Sequence, residues 1–326
     1  MTTFKEIRGT AIESVSSDPT NPEVGQIWYN NTIGVLKGNL LVAGVWAAGG
    51  NMTTARFALG GTGTQTAALA MGGITTTRVA NTEEYDGTSW GPGGNLNTAR
   101  ESQGSAGTQT AGLYFGGTIY FGPTAATEKY DGSAWTNSGN LNTARADLGG
   151  CGTQTAGLAF GGNVSPGISL QTATEEFNGS TWANNPTGLN TARYGLGGAG
   201  TQTAALGFGG TPPLTGATEE YDGSTWTTGG TMGTARYSLA GEGTQTAALG
   251  FGGYTPGTGV RSNTETYDGS AWTASTNLAT ARYSLGGAGT QTVGLAFGGR
   301  TGAPASTNVT EEYTGAFYSN KKITTS

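Results

Sequence analysis

Six copies of one block decide what this chain can fold into. In each copy an Arg is followed nine residues later by a Gln: Arg56 and Gln65, Arg100 and Gln109, Arg145 and Gln154, Arg193 and Gln202, Arg236 and Gln245, Arg282 and Gln291. Successive arginines lie 44, 45, 48, 43 and 46 residues apart, a period that suits propellers and helical arrays alike. Residue types choose between them. The copy over 234–253 is rich in Gly and Thr and, like the others, has no uninterrupted run of good helix formers, and each internal Gly costs a helix roughly 1 kcal/mol. A second block follows, Thr218-Glu-Glu-Tyr-Asp-Gly-Ser-Thr-Trp226, with counterparts starting at Thr82, Thr127, Thr174, Thr264 and Thr310. The repeat therefore reads as a small β-sheet.

Four strands fit one repeat. Strand a is expected to follow the Arg over 236–240 and to turn through Gly241-Glu-Gly243. Strand b is expected over 244–251, small and apolar as a strand buried on both faces should be. Strand c carries Thr264-Glu-Thr-Tyr267, and Asp268-Gly269 predicts a type I′ hairpin into strand d at Trp272. The expectation is an all-β, six-bladed propeller of four-stranded blades. Trp46 precedes Arg56 by the same ten residues that separate Trp90 from Arg100, so a strand d occurs before the first strand a. The strand ending at Trp46 is expected to pair beside 310–313 and close the ring, leaving 317–323 as an extra edge strand or frayed tail. In the alternative, the tail supplies strand d and the N-terminal hairpin packs outside or begins a seventh blade. Residues 1–24 read as an arm and linker and 25–326 as the propeller.

Composition narrows function. Charged residues make up 11% of the chain and the net charge is −6, so no basic field exists to hold nucleic acid. No His is present, which excludes His-based acid–base chemistry, Ser-His-Asp triads and His-ligated metals. No cofactor or metal is expected. Cys151 is the one cysteine of the chain and reads as packing rather than as a nucleophile. The start Met-Thr-Thr-Phe-Lys-Glu-Ile-Arg lacks an apolar signal core and no run of 18 apolar residues occurs, so neither secretion by a leader nor membrane insertion is expected.

Two readings of the repeated arginines compete. Arg56, Arg100, Arg145, Arg193, Arg236 and Arg282 could ring a central anion site. Alternatively, each pairs with a strand-c glutamate, Glu83, Glu128, Glu175, Glu219, Glu265 or Glu311, tying blade to blade; the pairing is the simpler reading. Gln in Thr-Gln-Thr is expected to hydrogen-bond backbone within each blade rather than line an ion channel. What varies between copies is the b–c segment: 74–81, 118–126, 163–173, 211–217, 254–263 and 300–309. All such loops of a propeller emerge on one face, which here would carry Arg78, Tyr120, Phe121, Tyr254, Arg261 and Arg300, side chains suited to saccharide or protein contact. Relaxed constraint on loops accounts for the same variation.

Phe208-Gly-Gly210, Glu219-Glu-Tyr-Asp222 and Trp226, with their counterparts, make the repeat over about residues 46–318 resemble the Kelch family of propellers. Phe177-Asn178 and Thr314 depart from the pattern. The resemblance implies a fold, because such propellers serve as enzymes, adaptors and structural parts alike. Its copper oxidase branch needs histidine ligands and is excluded. Sialidase-like hydrolases carry an Asp in the c–d turn, but their spacing differs, and Asp86, Asp131, Asp222 and Asp268 read as turn residues. A second resemblance lies in Asp18-Pro-Thr-Asn-Pro-Glu-Val-Gly-Gln-Ile-Trp-Tyr-Asn-Asn-Thr-Ile-Gly-Val-Leu-Lys37, which is similar to a short module of bacteriophage tail-fibre and other virion proteins. That resemblance implies assembly into a particle made in the host cytoplasm and released by lysis, with other virion proteins as partners through the N-terminal arm. The expectation is a non-enzymatic phage virion structural or adhesion protein whose loops meet a host-surface glycan or protein, or a virion subunit. A glycan-processing enzyme and a cellular Kelch-type adaptor are the alternatives.

Overall fold

The computed structural model describes residues 12–23, 25–164, 169–302 and 305–323. The chain divides into two compact units, one of residues 1–44 and 315–326, the other of 45–314. Residues 25–44, expected in the propeller, therefore fold with the chain ends; most of the proposed arm, up to residue 11, lies outside the described residues.

The first unit is a four-stranded sheet. Glu13–Val15 runs parallel to Ile27–Asn30, which pairs antiparallel with Val35–Val42, and Val35–Val42 pairs antiparallel with Phe317–Lys322. Asp18 organises it. Its carboxylate accepts hydrogen bonds from Trp28 Nε1 and Asn30 Nδ2 and pairs with Lys37 Nζ at 2.5 Å. Lys37 first, then Asn30 and Trp28, lower its pKa to about 2.

The second unit is a β-propeller-like repeat. Among the described residues it contains six four-stranded antiparallel sheets, all with the order a-b-c-d. Repeat one comprises Gly60–Thr64, Ala67–Met71, Thr82–Tyr85 and Trp90–Pro92. The inner strands a of repeats two to six are Gly104–Thr108, Gly149–Gly152, Gly197–Gly200, Ala240–Thr244 and Gly286–Gly289. Repeat six takes its strand d, Val45–Ala48, from the other end of the chain, with Trp46 opposite Tyr313. That closure occurs where the Trp spacing put it, except that the strand runs on from Trp46 instead of ending there.

Strand a itself lies elsewhere. The segment read as its turn, Gly241-Glu-Gly243, is the strand, and Gln245-Thr246 is the turn, so strand b starts at Ala247. Glycine serves here for close approach rather than for turning: a Cβ on Gly61 would lie 2.3 Å from Gly287 O in repeat six, so a side chain at that position would force the inner strands apart. The Asp-Gly turn also differs from type I′, which needs positive φ at both central residues. Only the Gly has it, as at Gly269 with φ 91°.

Each repeat holds the next through four sets of side-chain and backbone contacts. The strand-d Trp donates to a strand-c Thr of the preceding repeat, as in Trp182 to Thr127 at 2.9 Å, and packs on that repeat's strand-b Phe, as in Trp182 on Phe115 at 4.8 Å. The Gln donates to two carbonyls of the preceding repeat, as in Gln154 to Gly112 and Tyr130; it bonds between repeats, not within one. Strand-c tyrosines reach back similarly, Tyr130 Oη donating to Glu84 at 2.5 Å. Between repeats six and one the same contacts recur: Trp90 to Thr310, Gln65 to Gly294 and Tyr313, Tyr85 to Glu312.

The fourth set is a backbone ring. Two residues after each Arg, one N–H donates to the equivalent carbonyl of the preceding repeat: Ala58 to Ser284, Ser102 to Ala58, Asp147 to Ser102, Gly195 to Asp147, Ser238 to Gly195, Ser284 to Ser238, at 2.7 to 3.0 Å. The six bonds form a closed cycle. Every donor sits at positive φ, between 51° and 65°, although only Gly195 is a glycine. A left-handed conformation costs a non-Gly residue roughly 1–2 kcal/mol, part of which a glycine gives back as unfolded-state entropy. Ala58→Gly is therefore expected to stabilise by about 0.5–1 kcal/mol. A calorimetric melt below that of the parent would refute this account of the ring.

Candidate functional site

The six arginines are fully buried and pair with glutamates of their own repeat, Arg56 with Glu83 at 2.9 Å, Arg100 with Glu128, Arg145 with Glu175, Arg193 with Glu219 and Arg282 with Glu311 at 3.1 Å, and Arg236 with Glu265 at 2.5 Å. The pairs thus lie inside repeats rather than between them. Each guanidinium also donates to a strand-b carbonyl, as Arg193 Nη2 does to Gly207 O. The other carboxylate oxygen accepts from the backbone entering the repeat, as Glu219 Oε2 does from Asn190 N at 2.6 Å. Burial lowers the pKa of Arg193, and the adjacent Glu219 opposes the shift. An anion in the middle of the ring would find these cations already engaged.

The c–d aspartates are likewise committed to their turns. Asp222 Oδ1 accepts from Ser224 N, Ser224 Oγ and Thr225 N, and these bonds, Thr225 N foremost, bring its pKa to about 2. Cys151 lies among apolar neighbours with its Sγ donating to Thr201 O, and burial pushes its thiol up to about 12.

The b–c loops present a different surface. In repeat two, Thr118–Ile119 pairs with Gly122–Pro123, leaving Tyr120 and Phe121 at the hairpin tip, 87% and 92% exposed with rings 5.6 Å apart edge to face. Burying two such rings against a partner would gain roughly 1.5–3 kcal/mol each. Arg78 pairs with Glu101 at 2.6 Å; Arg261 donates to Thr255 Oγ1 and Thr258 Oγ1 within its own hairpin. Loop residues 165–168 and 303–304 lie outside the described residues.

Nearer the axis the loops meet residues that sequence reasoning left out. The residue after each Arg bridges to the first residue of its b–c segment: Phe57 to Ile74, Glu101 to Thr118, Ala146 to Asn163, Tyr194 to Thr211, Tyr237 to Tyr254 and Tyr283 to Arg300. Three repeats thereby place tyrosines side by side. Ring centroids run Tyr194 to Tyr237 at 6.5 Å, Tyr237 to Tyr254 at 5.7 Å and Tyr254 to Tyr283 at 5.4 Å. The arc ends where the Arg300 guanidinium lies 4.2 Å over the Phe57 ring. Tyr254 and Arg300 were singled out from sequence; Phe57, Tyr194, Tyr237 and Tyr283 were not, although their position is one of the few that change in a nearly constant block.

One residue along the chain from Tyr194, Tyr237 and Tyr283, the backbone ring lines a cavity of about 110 Å³, with Asp147, Gln103 and Ser238 among its residues. Asn163 Nδ2 donates to Asp147 Oδ2, and burial raises the Asp147 pKa against that bond. Burial also raises the Tyr237 pKa, with Tyr194, Tyr254, Tyr283 and Asp147 adding to it, so these groups share one electrostatic neighbourhood. Compared with protein-family models and with curated proteins, the chain matches none. Among the described residues no three His, Cys, Asp or Glu side chains gather as a metal site would need, and no helix is long and apolar enough to cross a membrane.

Proposed function

We propose that residues 45–314 form a six-bladed Kelch-like β-propeller acting without catalysis as a structural or adhesion protein of a phage virion, in the tail or its fibres. The b–c loop face meets a host surface or an adjoining virion subunit. What supports six blades over seven is the close approach of Gly61 to Gly287, which leaves no place for another sheet between repeats six and one. The observation that carries the binding reading is the aromatic character of the loops, Tyr120 and Phe121 held out at a hairpin tip in repeat two and the tyrosine arc over repeats four to six. A monomer that exposes such side chains together gains by covering them. The virion placement rests on the resemblance of residues 18–37 to tail-fibre modules, whose Asp18, Trp28, Asn30 and Lys37 converge in one hydrogen-bonded cluster. Weak single contacts would serve there, because several copies on one particle raise avidity by about 10² to 10⁴.

Quantitative mass spectrometry of purified particles tests the placement. The protein is expected in fixed ratio to capsid and tail proteins; its absence from particles and presence in soluble cell extract would reverse the placement.

A further inference from the structure

We infer that the axial cup of the loop face binds a pyranose residue of a surface polysaccharide, held between the tyrosine arc and the polar wall formed by Gln103 and Asp147. This rests on the reading of that face as a recognition surface and adds its ligand class and position.

The hydroxyl groups point to the ligand. Strand-c tyrosines use theirs: Tyr85, Tyr130, Tyr221 and Tyr267 donate to glutamates of the preceding repeat, and Tyr313 bonds Ser275. Among the described residues the hydroxyls of Tyr194, Tyr237, Tyr254 and Tyr283 have no protein partner, although their rings pack as a contiguous arc. Tyr194, Tyr237 and Tyr283 each directly precede a residue of the backbone ring, Gly195, Ser238 and Ser284, that lines the cavity. Among the described residues Gln103 Oε1 is buried and has no hydrogen-bond partner, and Gln103 lines that cavity. An orphaned buried acceptor costs about 1–3 kcal/mol and is relieved by a ligand donor.

The set of groups fits a neutral polyol. Phenol hydroxyls donate and accept, the amide oxygen and the Asp147 carboxyl accept, and ring faces cover the apolar C–H surface of a sugar. A free phosphate or sulfate would meet the Asp147 carboxyl, while Arg300 already lies over Phe57 and Arg261 donates within its own hairpin. A peptide strand would need an open sheet edge, and the backbone donors here are closed into a ring. Aromatic arc, orphaned acceptor and small cavity together describe a sugar subsite.

The test measures binding of the full chain to immobilised bacterial surface polysaccharides, with glucose, galactose, mannose and N-acetylglucosamine as soluble competitors. Binding is expected to fall about tenfold or more in Tyr254→Phe/Tyr283→Phe, whose melting should match the parent because the removed hydroxyls bond nothing in the protein. Tyr120→Ala/Phe121→Ala, at the hairpin tip, should weaken binding to the polymer, and the binding that remains should still be competed by the monosaccharide. If the Phe pair binds as the parent does, the cup is not the subsite. Loss confined to the Tyr120/Phe121 variant would overturn the cup while leaving the loop face as the recognition surface. A parent that binds no polysaccharide yet occurs in particles would overturn the sugar inference and leave the virion placement standing.

Discussion

Arg193→Ala is expected to destabilise the protein by about 3–5 kcal/mol, the cost of leaving a buried carboxylate without its cation. Glu219 is nearly inaccessible, and after the substitution it keeps only the Asn190 N–H, while Ala217 O and Gly207 O each lose a donor. At about 2 °C per kcal/mol for a body of this size, melting should fall by roughly 6–10 °C. The second arm separates orphaned charge from lost packing. Arg193→Met/Glu219→Leu removes both charges at similar volume and should recover most of the loss, because buried ion pairs contribute little beyond a well-packed apolar pair. A single variant melting within a degree or two of the parent would show that the pair is dispensable. A double variant as unstable as the single one would mean that the hydrogen bonds to strand b, not the charge, hold the repeat together.

The repeat was legible because the residues that recur most strictly are those that bond across to the next repeat. Gln, Trp and Thr each meet the same neighbour six times, and a contact made six times leaves a period in the sequence. The closing strand was legible for the same reason, since Trp46 donates to Thr264 as every other Trp does to its Thr. Strand a was hidden by its composition. Gly-Glu-Gly ordinarily signals a turn, and nothing local distinguishes a glycine chosen for positive φ from one chosen because another backbone approaches it closely. Residues 317–323 read as an extra edge strand, but its partner was hidden: Phe317–Lys322 pairs with Val35–Val42 near the other end of the chain, and a pairing formed once carries no repeat.

The site divides along similar lines. Exposure of Tyr120 and Phe121 could be anticipated from a loop that varies in length and carries two aromatics where others have polar residues. The tyrosine arc needed the fold, because Tyr237 and Tyr254 are 17 positions apart and meet only where the b–c segment folds back on the residue after the Arg. That hydroxyls in the arc lack partners while strand-c hydroxyls have them is invisible in sequence, since both are simply Tyr. Gln103 is similar: one of three Gln residues outside the Thr-Gln-Thr series, it gains meaning only beside the cavity it lines.

Stability should fall with rising pH through Glu242, and Glu242→Ala should remove that dependence. Glu242 holds the inner-strand position filled by Thr62, Ala106, Cys151, Ala199 and Ala288 in the other repeats. It lines the axial cavity of about 240 Å³, its Oε1 filling the space over Gly287, where an added Cβ would come within 2.1 Å of it. The strands packed against it, Gly197–Gly200, Ala247–Phe251 and Gly286–Gly289, carry no charged residue, and of the remaining inner strands only Cys151 is titratable. Polar occupants of this position act as donors, Thr62 Oγ1 to Gly107 O and Cys151 Sγ to Thr201 O; a carboxyl can do so only while protonated. Burial accordingly raises its pKa well above the ordinary carboxylate range. The sign follows from a proton held more tightly in the folded state: the contribution is fully present below the unfolded carboxyl pKa of about 4.5 and is lost as pH rises towards the folded value. Across that window the stability difference should shift in favour of Glu242→Ala by up to about 1.4 kcal/mol per pH unit as pH rises. Melting both proteins from pH 5 to pH 9 reads this directly. Parallel curves would mean that Glu242 titrates in the folded protein as it does in the unfolded chain, its carboxylate hydrated in the cavity.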